Sequence, residues 1–142
     1  MIFSKTCQAA LKSIAFLASA TSLQKKYSIK ELATAIEEND HTLGKVLQML
    51  VKNGIINSLK GPKGGFFLTP KQLKTPVLKI VEAVDGKFEF NQCAMGFSKC
   101  SEKKPCAFHV EFKKSRKIIE RLLTDNNLAV LGNAENSFKT FK

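Results

Sequence analysis

A glycine-rich turn between two short apolar segments most restricts how this chain can fold. Residues 55–59 and 66–69 are apolar and β-prone, and the segment at 61–65 reads Gly-Pro-Lys-Gly-Gly. Short β-prone runs separated by Gly- and Pro-containing residues are typical of a β-hairpin. We therefore expect two antiparallel strands joined by a tight turn that carries little side-chain bulk.

Three amphipathic helices are predicted before this hairpin. Residues 5–20 and 43–51 repeat apolar side chains at helical spacing, and Ser28 followed by Glu31 is the capping-box pattern that begins a helix. The third helix is followed by Gly54, which tolerates the left-handed backbone that a helix C-terminus favours. Three helices followed by a two-stranded ribbon is the order of a winged helix-turn-helix. The expected fold class is mainly α with a small β-hairpin wing.

Downstream of the hairpin, the pattern predicts two more helices separated by a loop. Thr75 and Pro76 suit the N-cap and first turn of one helix, whereas residues 87–104 have no sustained apolar period and indicate a loop. Pro105 suits the first position of a long final helix. Its apolar face has the spacing of helices that pack on one another, so we expect a homodimer interface; packing back on its own core is the alternative. That face consists of Phe108, Phe112, Ser115, Ile119 and Leu122.

These elements divide the chain into three parts. Residues 1–75 are predicted to form a winged helix-turn-helix DNA-binding domain, and residues 76–132 a sensor loop and the dimerisation helices, including the long C-terminal one. Residues 133–142 are polar, and we expect a disordered tail.

The charge of the chain favours a polyanionic partner. Its net charge is +11, and residues 1–75 hold eleven Lys/Arg against four Asp/Glu. A basic bias on a small domain is typical of proteins that bind nucleic acid. General solubility would also account for such a charge, so this argument depends on the fold for support.

No segment suggests a membrane or an export signal. No stretch approaches the roughly 18 apolar residues that a membrane span needs, and Lys12 interrupts the first apolar run. We therefore expect a cytoplasmic protein without a membrane partner. In that reducing compartment, clustered cysteines are more often metal-binding or reactive than joined in structural disulfides.

The predicted fold identifies candidate contacts to double-stranded DNA. In a helix-turn-helix, the second helix lies in the major groove and its N-terminal residues reach base edges. A basic, slender wing can follow phosphates or enter a minor groove. A merely solvated polar surface is the alternative reading. The candidate DNA-binding residues are His41, Thr42, Lys45 and Gln48 on the helix, and Lys60, Gly61, Pro62, Lys63 and Gly64 in the wing.

Three of the four cysteines fall in the predicted loop, where Cys93, Cys100, Cys106 and His109 have the spacing C-x6-C-x5-C-x2-H. Three thiolates and one imidazole suit an iron–sulfur cluster or a Cys3His zinc site. Zinc sites usually contain a closer cysteine pair, so the wide spacing favours a cluster or a thiol switch. Cys106 would lie at the N-terminus of the final helix, which lowers a thiol pKa. Cys7 is expected to be a small buried apolar residue.

The wing and the cysteines together resemble the IscR/NsrR family of winged-helix transcriptional regulators, also called the Rrf-two family. The residues that carry the resemblance are those at 52–56, 60–66 and 81–86 and the three loop cysteines. It implies a homodimer that binds a palindromic operator and an iron–sulfur cluster that tunes its DNA affinity. The expected cluster is [2Fe–2S], with [4Fe–4S] or zinc as alternatives.

The resemblance also implies a ligand set. Cys93, Cys100 and Cys106 match the cluster cysteines of the family, and His109 matches the histidine of its iron–sulfur regulator branch. In the nitric-oxide-sensing branch an acidic residue near the N-terminus is the fourth ligand. The matching position here is Gln8, a poor ligand, which favours His109. The chain departs from the best-known members in its longer first cysteine gap.

The function that we predict is a DNA-binding transcriptional repressor whose operator affinity depends on an iron–sulfur cluster. The alternative is a cluster-free winged-helix regulator with a thiol redox or zinc switch. An enzyme is not expected, because the sequence has no Ser/His/Asp set, no phosphate-binding glycine loop and two histidines in all.

Overall fold

Residues 2–20, 25–87 and 92–133 are described by a computed structural model of the chain. Its elements are α1 (Lys5–Ser19), α2 (Ile29–Ile36), α3 (Asp40–Lys52), β1 (Asn57–Leu59), β2 (Gly65–Phe67), α4 (Leu78–Asp85), α5 (His109–Asp125) and α6 (Leu128–Gly132). One turn of 3-10 helix, Gln72–Lys74, lies between β2 and α4. The expected fold class, mainly helical with a two-stranded hairpin, is confirmed.

The first three helices each begin at a side-chain cap. The Ser4 hydroxyl accepts a hydrogen bond from a backbone N–H in the first turn of α1. Ser28 and Glu31 form the predicted capping box at α2, and the Asn39 side chain caps α3. Such caps satisfy backbone donors that have no partner inside the helix, which explains where these helices start.

Helix α1 lies at the centre of a single hydrophobic core. It packs against α2, α3, α4 and α6. The fully buried side chains include Ile14 of α1, Leu47 of α3, Ile80 of α4 and Leu128 of α6. The core therefore includes residues from both sides of the predicted boundary at residue 75.

The hairpin is shorter than predicted but has a third segment beside it. Strands β1 and β2 are antiparallel, with Ser58 opposite Phe66. Tyr27 exchanges two backbone hydrogen bonds with Phe66 at 3.0 and 2.8 Å, so the residue before the α2 cap pairs with the return strand. No sequence pattern predicts this bridge, because a single paired residue has no periodicity.

The predicted start of α4 at Thr75 and Pro76 is wrong. The helix begins at Leu78, and no side chain caps it. The Thr75 carbonyl instead accepts a hydrogen bond from the Leu128 N–H at 3.0 Å, and the Val77 N–H donates to the Asn126 carbonyl at 2.9 Å. These long-range bonds tie Thr75 and Val77 to residues 126–128, with Thr75 extended and Val77 already in a helical conformation. Local capping preferences do not reveal such contacts.

The predicted start of the final helix at Pro105 is also wrong, because α5 begins four residues later at His109. The Cys106 N–H points to the Cys100 sulfur and its carbonyl accepts from the His109 N–H. These bonds form a turn ahead of the helix, so Cys106 does not lie in a helical first turn. The pKa argument that depended on that position does not apply.

Helix α5 leaves the core along most of its length. All of its residues are described, and Leu123 is the one buried among them. Ile119 packs partly against the core, while Ile118 is 67 % exposed and Leu122 is 61 % exposed. The short helix α6, absent from the sequence prediction, returns the chain to α1.

The predicted disordered tail lies almost wholly outside the described residues, which end at residue 133. Among the described helices, none is both long enough and apolar enough to cross a membrane.

Candidate functional site

The candidate DNA-binding side chains of α3 lie on the face of the helix that is turned away from the core. Its buried residues are Leu43, Val46, Leu47 and Leu50. All four candidate DNA-binding residues of this helix are exposed, and they are His41, Thr42, Lys45 and Gln48. The Asn39 side chain accepts hydrogen bonds from the backbone N–H groups of His41 and Thr42. The cap thus holds the N-terminal end of α3 in place. In a helix-turn-helix protein, the N-terminal residues of the recognition helix are the ones that reach base edges.

The wing turn is built from glycines that no other residue could replace without a backbone shift. A Cβ on Gly64 would lie 1.9 Å from the Leu59 carbonyl oxygen, and one on Gly65 would lie 2.8 Å from the Tyr27 carbonyl oxygen. Gly65 also has a φ of 138°, which L side chains avoid. The turn exposes Lys60, Gly61, Pro62 and Lys63, while Gly64 is half-buried.

The loop cysteines converge on one point. The sulfur atoms of Cys93, Cys100 and Cys106 all lie within 4.8 Å of one another, and those of Cys93 and Cys106 are 3.8 Å apart. The Cys106 N–H lies 3.4 Å from the Cys100 sulfur. Three thiols drawn together from a loop without helix or strand are a donor set that fits a thiolate-bound metal or cluster.

His109 lies beside one of these thiols. Its Nδ1 atom is 3.2 Å from the Cys100 sulfur, although His109 is not among the residues whose ligand atoms are all within 4.8 Å. The side chain is 12 % exposed. The sulfur atom that His109 contacts is therefore that of Cys100.

The pKa values of Cys93 and Cys100 are shifted in opposite directions. Partial burial raises the pKa of Cys93, but the N–H groups of Phe97 and Met95 and the neighbouring thiols favour the thiolate, and the net pKa is lowered. At Cys100 the Cys106 N–H lowers the pKa, whereas burial and the other two thiols raise it and prevail. Cys93 therefore ionises before Cys100.

Two residues that the sequence analysis did not single out hold this loop. Arg116 of α5 donates a hydrogen bond to the Gln92 carbonyl at 2.7 Å. Glu102 forms an ion pair with Lys113 of α5, and its carboxylate is 3.5 Å from His109 Nε2. The ion pair with Lys113, followed by the proximity of His109, lowers the pKa of Glu102. The i,i+4 spacing of His109 and Lys113 was the available sequence signal.

An open apolar cleft of about 720 Å³ borders the thiols. Cys100 and Cys106 contribute to its wall, together with the exposed apolar side chains of Met95, Phe97 and Phe108. A hydrophobic surround of this kind limits the access of water to a metal site. Sequence periodicity could not find the cleft, because its residues come from an irregular loop.

Gln8, the position that matches the N-terminal acidic ligand of one branch, lies on α1. Its side-chain amide donates a hydrogen bond to the Phe3 carbonyl at 3.2 Å. Cys7 beside it is fully buried, as predicted.

Comparison with known proteins gives the same fold and class. The sequence model of the Rrf2 family, described as iron-dependent transcriptional regulator, matches residues 3–134. The chain is 30 % identical over 137 residues to a protein of Aquifex aeolicus (strain VF5) assigned as an HTH-type transcriptional regulator; the match covers 95 % of this chain and 94 % of that protein. Both are regulators rather than enzymes.

Two solved structures share the fold. CymR (YrzC), the global cysteine regulator of B. subtilis, superposes with a TM-score of 0.75 at 18 % identity, over 92 % of this chain and 95 % of that one. IscR of T. potens superposes with a TM-score of 0.67 at 21 % identity, over 94 % and 88 % of the two chains.

Proposed function

Because this chain belongs to the Rrf2 family of transcriptional regulators, we propose that it is a repressor whose operator affinity is tuned by an iron–sulfur cluster in the cysteine loop. The proposed ligands are Cys93, Cys100, Cys106 and His109, and the proposed cluster is [2Fe–2S]. The observation that supports this most directly is the convergence of three thiol sulfurs within 4.8 Å. The nearby Nδ1 atom of His109 supplies a fourth donor.

A bound cluster would supply a redox-active or labile anionic centre, whose gain or loss changes the loop that holds it. The chain's own residues connect that loop to the rest of the protein. Arg116 and Lys113 attach the loop to α5, and α5 contacts α4. A change in the loop would therefore alter the orientation of α5.

We assign DNA contact to two surfaces. The proposed base-reading residues are the exposed side chains of α3, His41, Thr42, Lys45 and Gln48, and the proposed wing contacts are Lys60, Gly61, Pro62, Lys63 and Gly64. A lysine or threonine can address base edges or phosphates. The proposed DNA-binding domain is residues 1–75, with residues 76–132 for sensing and dimerisation.

The proposed assembly is a homodimer on a palindromic operator, formed through α5. Ile118 and Leu122 are large apolar side chains that the single chain leaves exposed. Contiguous exposed apolar side chains on one helix mark an interaction surface. Two-fold symmetry matches two operator half-sites.

The test is an anaerobic purification with an absorption spectrum and iron and sulfide assays. We expect thiolate-to-iron charge-transfer bands and equal amounts of iron and sulfide. Cys100→Ala should abolish both, and Cys7→Ala, a buried cysteine outside the site, should leave both unchanged. Operator binding with and without the cluster, and a reporter gene under the operator, then test the repressor assignment.

A cluster-free thiol switch is the second candidate, and the 3.8 Å between the Cys93 and Cys106 sulfurs favours it. Hydrogen peroxide would oxidise the two thiols to one disulfide and would itself be reduced to two molecules of water. A colourless protein that takes up neither iron nor sulfide on reconstitution, but forms a Cys93–Cys106 disulfide with peroxide, would select this alternative.

A further inference from the structure

Glu102 lies across the first turn of α5, next to two residues of that helix. Its Oε1 atom is 3.5 Å from His109 Nε2, and its carboxylate is paired with Lys113. Residues four apart on a helix share one face, so the carboxylate can meet His109 and Lys113 together. Glu102 is also two residues from Cys100, the thiol that His109 approaches.

The two ring nitrogens of His109 have different surroundings. Nδ1 is 3.2 Å from the Cys100 sulfur. Nε2 is buried and forms no hydrogen bond with the residues that the structure describes. A buried N–H without an acceptor is costly, and the carboxylate at 3.5 Å is an acceptor group close enough to receive it after a small movement.

We propose that Glu102 is a positioning residue for His109. Its carboxylate accepts the Nε2 proton in a hydrogen bond, which leaves the lone pair of Nδ1 directed at the thiol cluster. This inference rests on the proposed role of His109 as a ligand. Metal-bound histidines generally donate their other ring N–H to a carboxylate, carbonyl or water, which fixes both the tautomer and the ring orientation.

A simple surface ion pair does not account for this arrangement. An exposed Glu–Lys pair alone contributes little, and α5 contains such a pair in Glu111 and Lys114, 3.5 Å apart. That pair has no contact with His109 among those that the structure describes. Glu111 is therefore a matched control, because it lies in the same turn as His109 and carries the same charge.

The first measurement is the tautomer of His109 in the metal-free protein, by nitrogen-15 NMR at a pH well above the ordinary histidine pKa of about 6.5. We expect the wild-type ring to carry its proton on Nε2. Glu102→Ala should move the proton toward Nδ1, Glu102→Gln should retain part of the wild-type preference through its amide oxygen, and Glu111→Ala should change nothing.

The second measurement is the affinity of the same proteins for Co²⁺, whose absorption bands report thiolate and imidazole ligands. Loss of a carboxylate that supports a ligand typically lowers metal affinity by about 10–100-fold. We expect a fall in that range for Glu102→Ala. In a His109→Ala background the same substitution should have no further effect, because the residue through which Glu102 acts is gone.

An unchanged tautomer in Glu102→Ala overturns the proposal, whether or not Co²⁺ affinity falls, since a fall alone would mean that Glu102 only anchors the loop. A further loss of Co²⁺ affinity in the His109→Ala background overturns it as well. Neither readout requires iron or sulfide. A failure of the cluster assignment would appear in the iron and sulfide assays, separately from these results.

Discussion

The Asp85 carboxylate accepts a hydrogen bond from the backbone N–H of Ser4 at 3.0 Å and another from the Ser4 hydroxyl. The Ser4 hydroxyl also accepts from the Cys7 N–H at the start of α1. The last residue of α4 and the first turn of α1 are therefore joined. Because α4 leads into the cysteine loop, this contact connects the start of that loop to the helix at the centre of the core.

The first prediction concerns alkaline stability. Burial, with the charge and hydrogen bond of Asp85, raises the pKa of Cys7 from 9.0 to about 12. Between these values the unfolded thiol has lost its proton while the native thiol keeps it, so the free energy of unfolding falls as pH rises. In urea unfolding across this range, Cys7→Ala should show a shallower fall than the wild-type protein. Equal slopes would mean that Cys7 does not hold its proton in the native state.

The second prediction concerns the wing. Lys60→Ala should weaken operator binding and reduce the slope of log affinity against log salt by about 1, because one phosphate contact is lost. Fluorescence anisotropy at several salt concentrations measures both quantities. Lys114→Ala, which removes an exposed lysine of α5 paired with Glu111, is the control and should leave the slope unchanged. If the two variants behave alike, Lys60 is not a DNA contact.

The third prediction concerns the proposed dimer. Ile118→Lys and Leu122→Lys should convert the dimer to a monomer without unfolding it, because both side chains are exposed on α5 and a buried charge opposes association. Analytical ultracentrifugation measures the mass. Val110 is 59 % exposed and lies more than two turns before Ile118 on the same helix, so Val110→Lys should remain dimeric. Dimers in all three variants would place the interface elsewhere.

The fourth prediction concerns the contact between α6 and α1. A Cβ on Gly132 would lie 2.6 Å from the backbone carbon of Ala18. Gly132→Ala should therefore destabilise the protein by roughly 1–3 kcal/mol, the usual cost of overpacking. Gly44→Ala is the control: its Cβ would be 3.6 Å from Ile29 Cδ1, an ordinary contact, and alanine is favoured over glycine within a helix by about 1 kcal/mol. The two substitutions should shift the unfolding midpoint in opposite directions.

The sequence predicted the elements that depend on local patterns. The apolar period of α3, the capping box at Ser28 and the glycines of the wing each determine structure within a few residues. These elements carry the candidate DNA-binding residues, and for that reason the exposed face of α3 could be anticipated side chain by side chain.

The sequence did not predict features that depend on distant partners. Thr75 was placed at a helix N-cap, but its carbonyl pairs with the Leu128 N–H. The clustering of the three loop thiols was expected from composition and resemblance. The contact of His109 with Cys100 and the position of Glu102 depend instead on the turn at Cys106, after which α5 begins. A loop without regularly spaced apolar residues carries no local sequence signal for such contacts.

The bridge between Tyr27 and Phe66 limits how far the wing can move relative to the helix-turn-helix. Tyr27 immediately precedes the helix-turn-helix, and Phe66 lies in the return strand of the wing. The base of the wing is thereby held to the chain that enters α2, so we expect the two proposed DNA-contacting surfaces, on α3 and on the wing, to keep a fixed spacing. An operator half-site bound as proposed would have to fit this spacing. A sequence that bends or narrows to do so would then gain affinity without any change in the bases that are touched.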